Sequence, residues 1–253
     1  LAYTRDASIY RLIPEALVRP KDEQEVRSLL EYGRSSSTPI TFRTAGTSLS
    51  GQSISSGIIA EVLYDWQKFR ILENGAAIWC EPGVNGALAN RILAPYHRRI
   101  GPDPASINAA RIGGIVSNNA SGMVCGTEYN AYHTLKDVEF MLPNGNGYDT
   151  SKPGERENFL QNEPDLATGL LKIKKEIESN SSWKGKIREK YRLKNTIGYS
   201  MNSFLDFNHP LDIFSHLLVG AEGTLAFIAN VTLKTIPDPP EKGTGLLLFN
   251  SPE

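Results

Sequence analysis

Apolar residues recur along the chain at two spacings, which predict a mixture of helices and strands. Asp22-x-x-Glu25 resembles a capping box, and Val26, Leu29 and Leu30 follow at the spacing of one helix face. Gly33 and the run 35–38 are expected to end this helix. Further helices are predicted over 85–93, 164–178, 183–191 and 210–218.

Short apolar runs predict the strands. They lie at 40–43, 57–64, 76–81 and 138–142, with a turn predicted at 143–147 and one or two β-rich segments between a glycine-bounded turn and Pro237. The first hundred residues therefore predict a compact βαβ-type unit. From Gly101 the composition changes to turns and small residues, which predicts a second unit.

Composition excludes several classes of protein. The 253 residues are 40% hydrophobic and 22% charged with a net charge of −1, so no basic surface for nucleic acid is indicated. No apolar run is long enough to span a bilayer, and the first residues do not resemble a signal peptide. Cys80 and Cys125 lack the spacing of a metal site or a disulfide framework. A reduced, cytoplasmic protein without a bound metal is the expectation.

The loop after the 40–43 strand is the first candidate binding site. Residues 44–51 are small or carry hydroxyl groups, and Gly46 and Gly51 permit positive φ, so consecutive N–H groups can form an anion-binding nest suited to a diphosphate. Gln52 stands where a P-loop requires lysine, and no stretch has the G-x-G-x-x-G fingerprint. A tight strand exit without a ligand is the alternative explanation.

A second candidate lies at 112–126, where almost every residue is small. Backbone here must pack closely against something, which is either a ligand or a neighbouring sheet. At the other end of the chain, 237–242 has the composition of a linker. The apolar run Gly245–Phe249 predicts a strand that would begin another domain.

The ordered motifs together resemble a known family. They are Arg43-Thr-Ala-Gly-Thr-Ser-Leu-Ser-Gly-Gln, Asp103-Pro-Ala-Ser, Ile112-Gly-Gly, Asn118-Asn-Ala-Ser-Gly-Met, Lys194-Asn-Thr-Ile-Gly-Tyr and Gly220-Ala-Glu-Gly-Thr-Leu. Their order is similar to that in FAD-linked oxidases of the vanillyl-alcohol oxidase and p-cresol methylhydroxylase type. Within these, the chain most resembles the bacterial D-lactate and D-2-hydroxyglutarate dehydrogenase-like flavoproteins, whose long members continue into an iron–sulfur domain.

The resemblance implies an α+β, two-subdomain FAD-binding fold of the p-cresol methylhydroxylase type. Subdomain one would span 1–100 and subdomain two 101–238. Residues 239–253 would be a linker and the first strand of a truncated cap domain.

The resemblance also implies which residues bind FAD. The diphosphate loop would comprise Arg43, Thr44, Ala45, Gly46, Thr47, Ser48, Leu49, Gly51 and Gln52. The ribityl chain and ring would be lined by Pro104, Gly113, Gly114, Asn118, Ser121 and Gly122. The adenosine side or the subdomain interface would involve Glu222, Gly223 and Ile228.

Because residues 43–52 contain neither histidine nor cysteine, FAD is expected to be held non-covalently. Cys125 is the nearest nucleophile to the ring-lining segment, but a small buried residue is the favoured interpretation. His209 and His216 are expected to be structural. No catalytic residue is predicted.

The implied function is the FAD-binding part of a D-2-hydroxy-acid dehydrogenase of the D-lactate, D-2-hydroxyglutarate or glycolate type. A small 2-hydroxy acid would be gripped by the missing cap domain, and electrons would leave to a downstream iron–sulfur domain or another acceptor. Two alternatives stay open: an oxidase of an alcohol or sugar lactone, and a non-catalytic nucleotide-binding module.

Overall fold

The strands form two sheets. The computed structural model describes residues 2–241, 243, 245–249 and 251. Its strands are β1 (Ala16–Val18), β2 (Ile40–Arg43), β3 (Ile58–Glu61), β4 (Phe69–Leu72), β5 (Ala77–Cys80), β6 (Arg98–Ile100), β7 (Leu135–Met141), β8 (Gly147–Asp149) and β9 (Phe227–Pro237).

The helices surround these sheets and vary widely in length. They are α1 (Glu23–Ser36), α2 (Gly86–Leu93), α3 (Ile112–Asn118), α4 (Ala131–Thr134), α5 (Glu155–Asn162), α6 (Pro164–Ser179), α7 (Ser181–Lys190), α8 (Ser203–Asp206) and α9 (Pro210–Leu217). The capping box predicted at the start of α1 is present: the Asp22 carboxylate accepts from Glu25 N–H, and the Glu25 carboxylate accepts from Lys21 N–H.

The smaller sheet is parallel, with strand order β1-β3-β2. The central strand β3 is buried along its whole length, as expected for a parallel strand flanked on both sides. The α1 helix crosses between β1 and β2. It connects two parallel strands that lie on either side of β3, and the candidate loop follows the carboxyl end of β2.

The larger sheet is antiparallel and has the order β4-β5-β9-β7-β8, with β6 pairing with the end of β9. The long strand β9 lies between β5 and β7. One face of this sheet is covered by α2, α3, α6 and α9, whose apolar residues form the main core. The two sheets are joined by a smaller apolar cluster, in which the Phe227 ring packs on Phe42 and Trp66.

The structure corrects three details of the predicted organisation. α1 ends within the predicted run 35–38, at Ser36, and not at Gly33, which is inside the helix; Gly33 instead lies against Ile40, where an added Cβ would be 2.5 Å from the Ile40 side chain. The division between the two sheets also falls earlier in the chain than residue 100. β4, β5 and β6 end at or before that residue, but they belong to the larger sheet with β9.

The third correction concerns the tail. Residues 245–249 form no strand and are exposed. An isolated strand would leave its backbone groups without partners, so apolar composition alone does not produce one. Five residues of the predicted linker and cap segment, 242, 244, 250, 252 and 253, lie outside the described residues.

Candidate flavin site

The candidate loop leaves β2 at Arg43 and turns back at two glycines. Gly46 has φ +65° and Gly51 φ +82°, a region that other residues rarely adopt. A Cβ on Gly46 would lie 2.4 Å from the Arg43 guanidinium. The loop thus folds tightly over the Arg43 side chain, which places a positive charge directly beneath it.

The backbone of this loop is suited to an anion. In the part of the chain that the structure describes, none of the N–H groups from Thr44 to Gly51 donates to another protein group. Groups of N–H donors in a turn attract phosphate oxygens. The loop therefore fits a diphosphate by its donors, its glycines and the charge of Arg43.

Glu222 brings three predicted site segments together. Its carboxylate accepts from Gln52 Nε2 of the loop at 3.4 Å and from Asn118 Nδ2 at the end of α3. Its own N–H donates to the Ser117 carbonyl at 2.8 Å. Glu222 has a left-handed backbone conformation, with φ +54°, in the turn after α9. Burial raises the pKa of this carboxyl group, against the hydrogen bond from Asn118.

The two glycines of α3 have different environments. A Cβ on Gly113 would lie 2.6 Å from Pro82, so this glycine serves the packing of the helix on its neighbouring chain. A Cβ on Gly114 would instead lie 3.3 Å from the Thr44 hydroxyl of the loop. Close packing thus explains Gly113, whereas Gly114 lets α3 approach the predicted diphosphate site.

Asp103 organises the second small-residue segment, although it was not among the predicted site residues. Its carboxylate accepts from the N–H groups of Gly122 at 2.8 Å, Val124 at 3.0 Å and Cys125 at 3.2 Å. Burial favours the neutral acid, but these hydrogen bonds outweigh it and lower the pKa of Asp103. Asp103 begins one of the ordered motifs, but that motif does not indicate which groups its carboxylate accepts from.

The segment 194–199 runs beside these residues and was also absent from the predicted site. Lys194 Nζ donates to the Gly122 carbonyl at 3.4 Å, and the Asn195 carbonyl accepts from Asn119 Nδ2 at 3.3 Å. The hydroxyl groups of Tyr199 and Thr224 lie 3.0 Å apart. Its place in the ordered motifs was the signal that could have included it.

The other predicted site residues are placed as follows. Ile228 is buried in the main core. Pro104 and Ser121 lie on the turn and the segment that Asp103 joins. Gly223 has φ +72° in the turn after α9, and Leu49 is exposed at the tip of the loop. Their contacts with a cofactor stay predictions.

Cys125 and the two histidines lie in structural surroundings. The Cys125 side chain is buried, and burial with the nearby Asp103 carboxylate raises the pKa of its thiol. His209 caps α9 through Nδ1, and the His216 ring packs against Phe207 and Tyr132. Desolvation lowers the pKa of both imidazoles, so they are neutral at pH 7.

Two features are absent from the described residues, which omit 1, 242, 244, 250, 252 and 253. No helix there combines the length and apolarity needed to cross a membrane. No group of three or more histidine, cysteine, aspartate or glutamate side chains is arranged to hold a metal ion.

Comparison with known proteins places this chain in a family. The FAD binding domain model matches residues 14–151. The chain is 30% identical over 251 residues to a D-2-hydroxyglutarate dehydrogenase of Pantoea ananatis, covering 94% of this chain and 24% of that protein. It is 27% identical over 227 residues to a D-lactate dehydrogenase of Archaeoglobus fulgidus, covering 87% and 38%.

A glycolate oxidase subunit GlcD of Bacillus subtilis is 24% identical over 255 residues, covering 99% of this chain and 43% of that protein. The chain therefore spans less than half the length of these curated relatives. An alkyldihydroxyacetonephosphate synthase structure matches with a TM-score of 0.56 at 15% identity, over 89% of this chain and 32% of that one. That likeness supports the α+β fold. From its motifs, its fold and the family match, this chain belongs to the family of FAD-binding domains, and its relatives include hydroxy-acid dehydrogenases and oxidases.

Proposed function

We propose that this chain is the flavin domain of an enzyme that oxidises a D-2-hydroxy acid to a 2-oxo acid, and that it holds FAD without a covalent bond. The observation that carries the proposal is the Glu222 bridge, which joins the glycine loop, α3 and the turn after α9 at one place.

Each of these segments has a separate task in the proposed site. The N–H groups of residues 44–51 and the Arg43 charge bind the diphosphate, and Gly114 leaves room for it beside Thr44. Asn118 and Gln52 fix Glu222, and Asp103 holds the 122–125 backbone close to the ring. Bound FAD supplies the two-electron acceptor for the hydride on the substrate Cα.

The non-covalent attachment is supported by the absence of histidine and cysteine from the loop and by the state of Cys125. A thiol whose pKa is raised is protonated at pH 7, and the protonated form is not the nucleophile. Burial of the Cys125 side chain also shields it from a flavin ring.

The substrate class is inferred from the names of the relatives, which act on D-2-hydroxyglutarate, D-lactate or glycolate. Since this chain covers less than half of each of those proteins, we propose that side chains outside residues 1–253 grip the substrate carboxylate. We further propose an iron–sulfur domain as the electron acceptor and the cytoplasm as the location.

Absorption spectroscopy tests the flavin site. The chain is titrated with FAD, and the complex is then precipitated with acid. We expect the flavin bands to shift, the fluorescence to be quenched, and all of the flavin to appear in the acid supernatant. No shift and no quenching at saturating FAD would refute the site, and flavin in the pellet would refute non-covalent binding.

A substitution at Glu222 tests the bridge itself. Glu222→Gln removes the charge that accepts from Asn118 and Gln52, and we expect the Kd for FAD to rise about tenfold, which is ~1.4 kcal/mol. Glu31→Gln, on the exposed face of α1, is the matched control and should bind FAD as the wild type does. Equal affinity of both variants would show that Glu222 does not organise the site.

A further inference from the structure

An irregular segment before β1 contacts the glycine loop at four places. This segment, residues 2–13, is here called the arm; it has no helix or strand and lies outside the region matched by the family model. Several of its apolar side chains are exposed, among them Ile9 and Ile13. Because these side chains are exposed, their burial does not explain why the arm follows this path along the loop.

The first two contacts are hydrogen bonds to the loop. Ala7 N–H donates to the Gly46 carbonyl at 3.1 Å. The Asp6 carboxylate accepts from the Ser53 hydroxyl at 3.0 Å and from Ser8 N–H at 2.9 Å. These bonds fix both ends of the loop, at its first glycine and just after Gln52.

The other two contacts involve aromatic rings. The Tyr10 ring lies against Gly51, 3.0 Å from where a Cβ would be, so the glycine and the ring fit together. The Arg43 guanidinium lies over the Tyr3 ring, 5.4 Å from its centre. Arg43 also donates to the Ser53 carbonyl at 3.3 Å, which joins the two ends of the loop.

Tyr3 is itself anchored to the parallel sheet. Its hydroxyl donates to the buried Glu61 carboxylate at 2.6 Å and accepts from Arg19 Nη2 at 3.0 Å. Arg19 forms a 2.6 Å ion pair with the same carboxylate. A rigid strand end thereby holds the ring, and the ring in turn holds the Arg43 charge under the loop.

We propose that the arm positions the glycine loop for FAD, with Tyr3 and Asp6 as the positioning residues. This inference rests on the proposed role of the loop in binding the diphosphate. A loop whose N–H groups already converge loses less conformational entropy on binding, so its affinity for the cofactor is higher.

The test uses the complete chain with Asp6→Asn and Tyr3→Leu. Asp6→Asn weakens the bond to Ser53, and Tyr3→Leu removes the ring beneath Arg43. We expect each to raise the Kd for FAD about three- to tenfold. Amide order parameters of residues 44–52, measured without FAD, should fall from about 0.85 toward 0.6 in both variants.

Ser53→Ala and the double variant with Asp6→Asn show whether the two side chains act as a pair. If they do, the double variant binds FAD about as weakly as each single variant. Asp165→Asn, an exposed carboxylate on α6, is the control and should leave both measurements unchanged.

Unchanged order parameters and unchanged affinity in folded Asp6→Asn and Tyr3→Leu would overturn the proposal. If the wild-type chain itself fails to bind FAD, the proposed function fails, while the order parameters still decide whether the arm holds the loop.

Discussion

The parallel and antiparallel sheets differ in how much core supports them. The antiparallel sheet carries the main core, to which α2, α3, α6 and α9 contribute. The parallel sheet has three strands of three or four residues, and β2 is only partly buried. Its largest shared apolar contact is the cluster of Phe42, Trp66 and Phe227.

The comparison teaches where the binding function is vulnerable. The glycine loop leaves the less buried sheet, whereas Glu222, Asn118 and Asp103 extend from elements packed on the main core. The loop is therefore positioned by contacts at its edges: Phe227 packs on Phe42 of the preceding strand, Glu222 accepts from Gln52, and the arm donates to the Gly46 carbonyl. Substitutions at these contacts should weaken FAD binding more than their effect on the free energy of unfolding suggests.

The largest effect is expected from Phe227→Ala, which removes the ring that joins the sheets. We expect unfolding to become about 3–5 kcal/mol easier, as for other buried Phe→Ala changes. Hydrogen exchange should show that β1, β2 and β3 lose protection before the antiparallel sheet does. Phe159→Ala, in the main core, is the control with a similar loss of stability and no such selectivity. Equal loss of protection in both sheets after Phe227→Ala would contradict the comparison.

Asp103→Asn should cost about 1.5–2 kcal/mol at pH 7, at the low end for hydrogen bonds to a charged group because the carboxylate is partly exposed. The folded pKa is lowered, so this stabilisation is present above the range in which a free aspartate titrates and is lost as pH falls through the folded pKa. Urea unfolding between pH 7 and 3 should show a steeper loss of stability in the wild type than in the variant. Identical slopes would mean that the three N–H bonds do not stabilise the fold.

Gly46→Ala should cost about 1 kcal/mol, because φ is +65° and the added Cβ meets the Arg43 guanidinium. The shift of Arg43 should also weaken FAD binding. Thermal unfolding and an FAD titration measure both effects. Normal FAD affinity in this variant would show that the loop geometry is not required.

A Gly→Ala substitution in the region of the main core should increase the free energy of unfolding instead of lowering it. Gly169 lies inside α6 with an ordinary φ and open space around it, so Gly169→Ala should stabilise the chain by about 0.5–1 kcal/mol. FAD affinity should not change. A destabilised Gly169→Ala protein would show that α6 needs the glycine for another reason.

Local patterns predicted the elements well, because their causes lie within a few residues. The cap of α1, the helix predicted over 164–178 and the strand at 40–43 are all confirmed. Which strands pair within a sheet was harder to predict from the sequence. Nothing near Ala77–Cys80 indicates that its partner is a strand more than a hundred residues later, since pairing depends on the global fold.

The sequence indicates those parts of the candidate site that depend on the conformation and close approach of the backbone. Glycines and small residues at 44–51 and 112–122 indicated close approach of the backbone to a ligand or to a neighbouring element, and ordered motifs identified the family. The roles of Asp103 and of the arm were hidden because each depends on hydrogen bonds between distant segments. Aspartate and tyrosine are common, so their presence alone carries no such information.

The central position of β9 also has a consequence for synthesis. β5 and β7 both pair with β9, which is made about ninety or more residues after either of them. Until residue 237 has left the ribosome, the larger sheet cannot close, and the nascent chain carries unpaired apolar edges. Yield in a cell should therefore depend on chaperones that shield strand edges, even where the finished protein is stable.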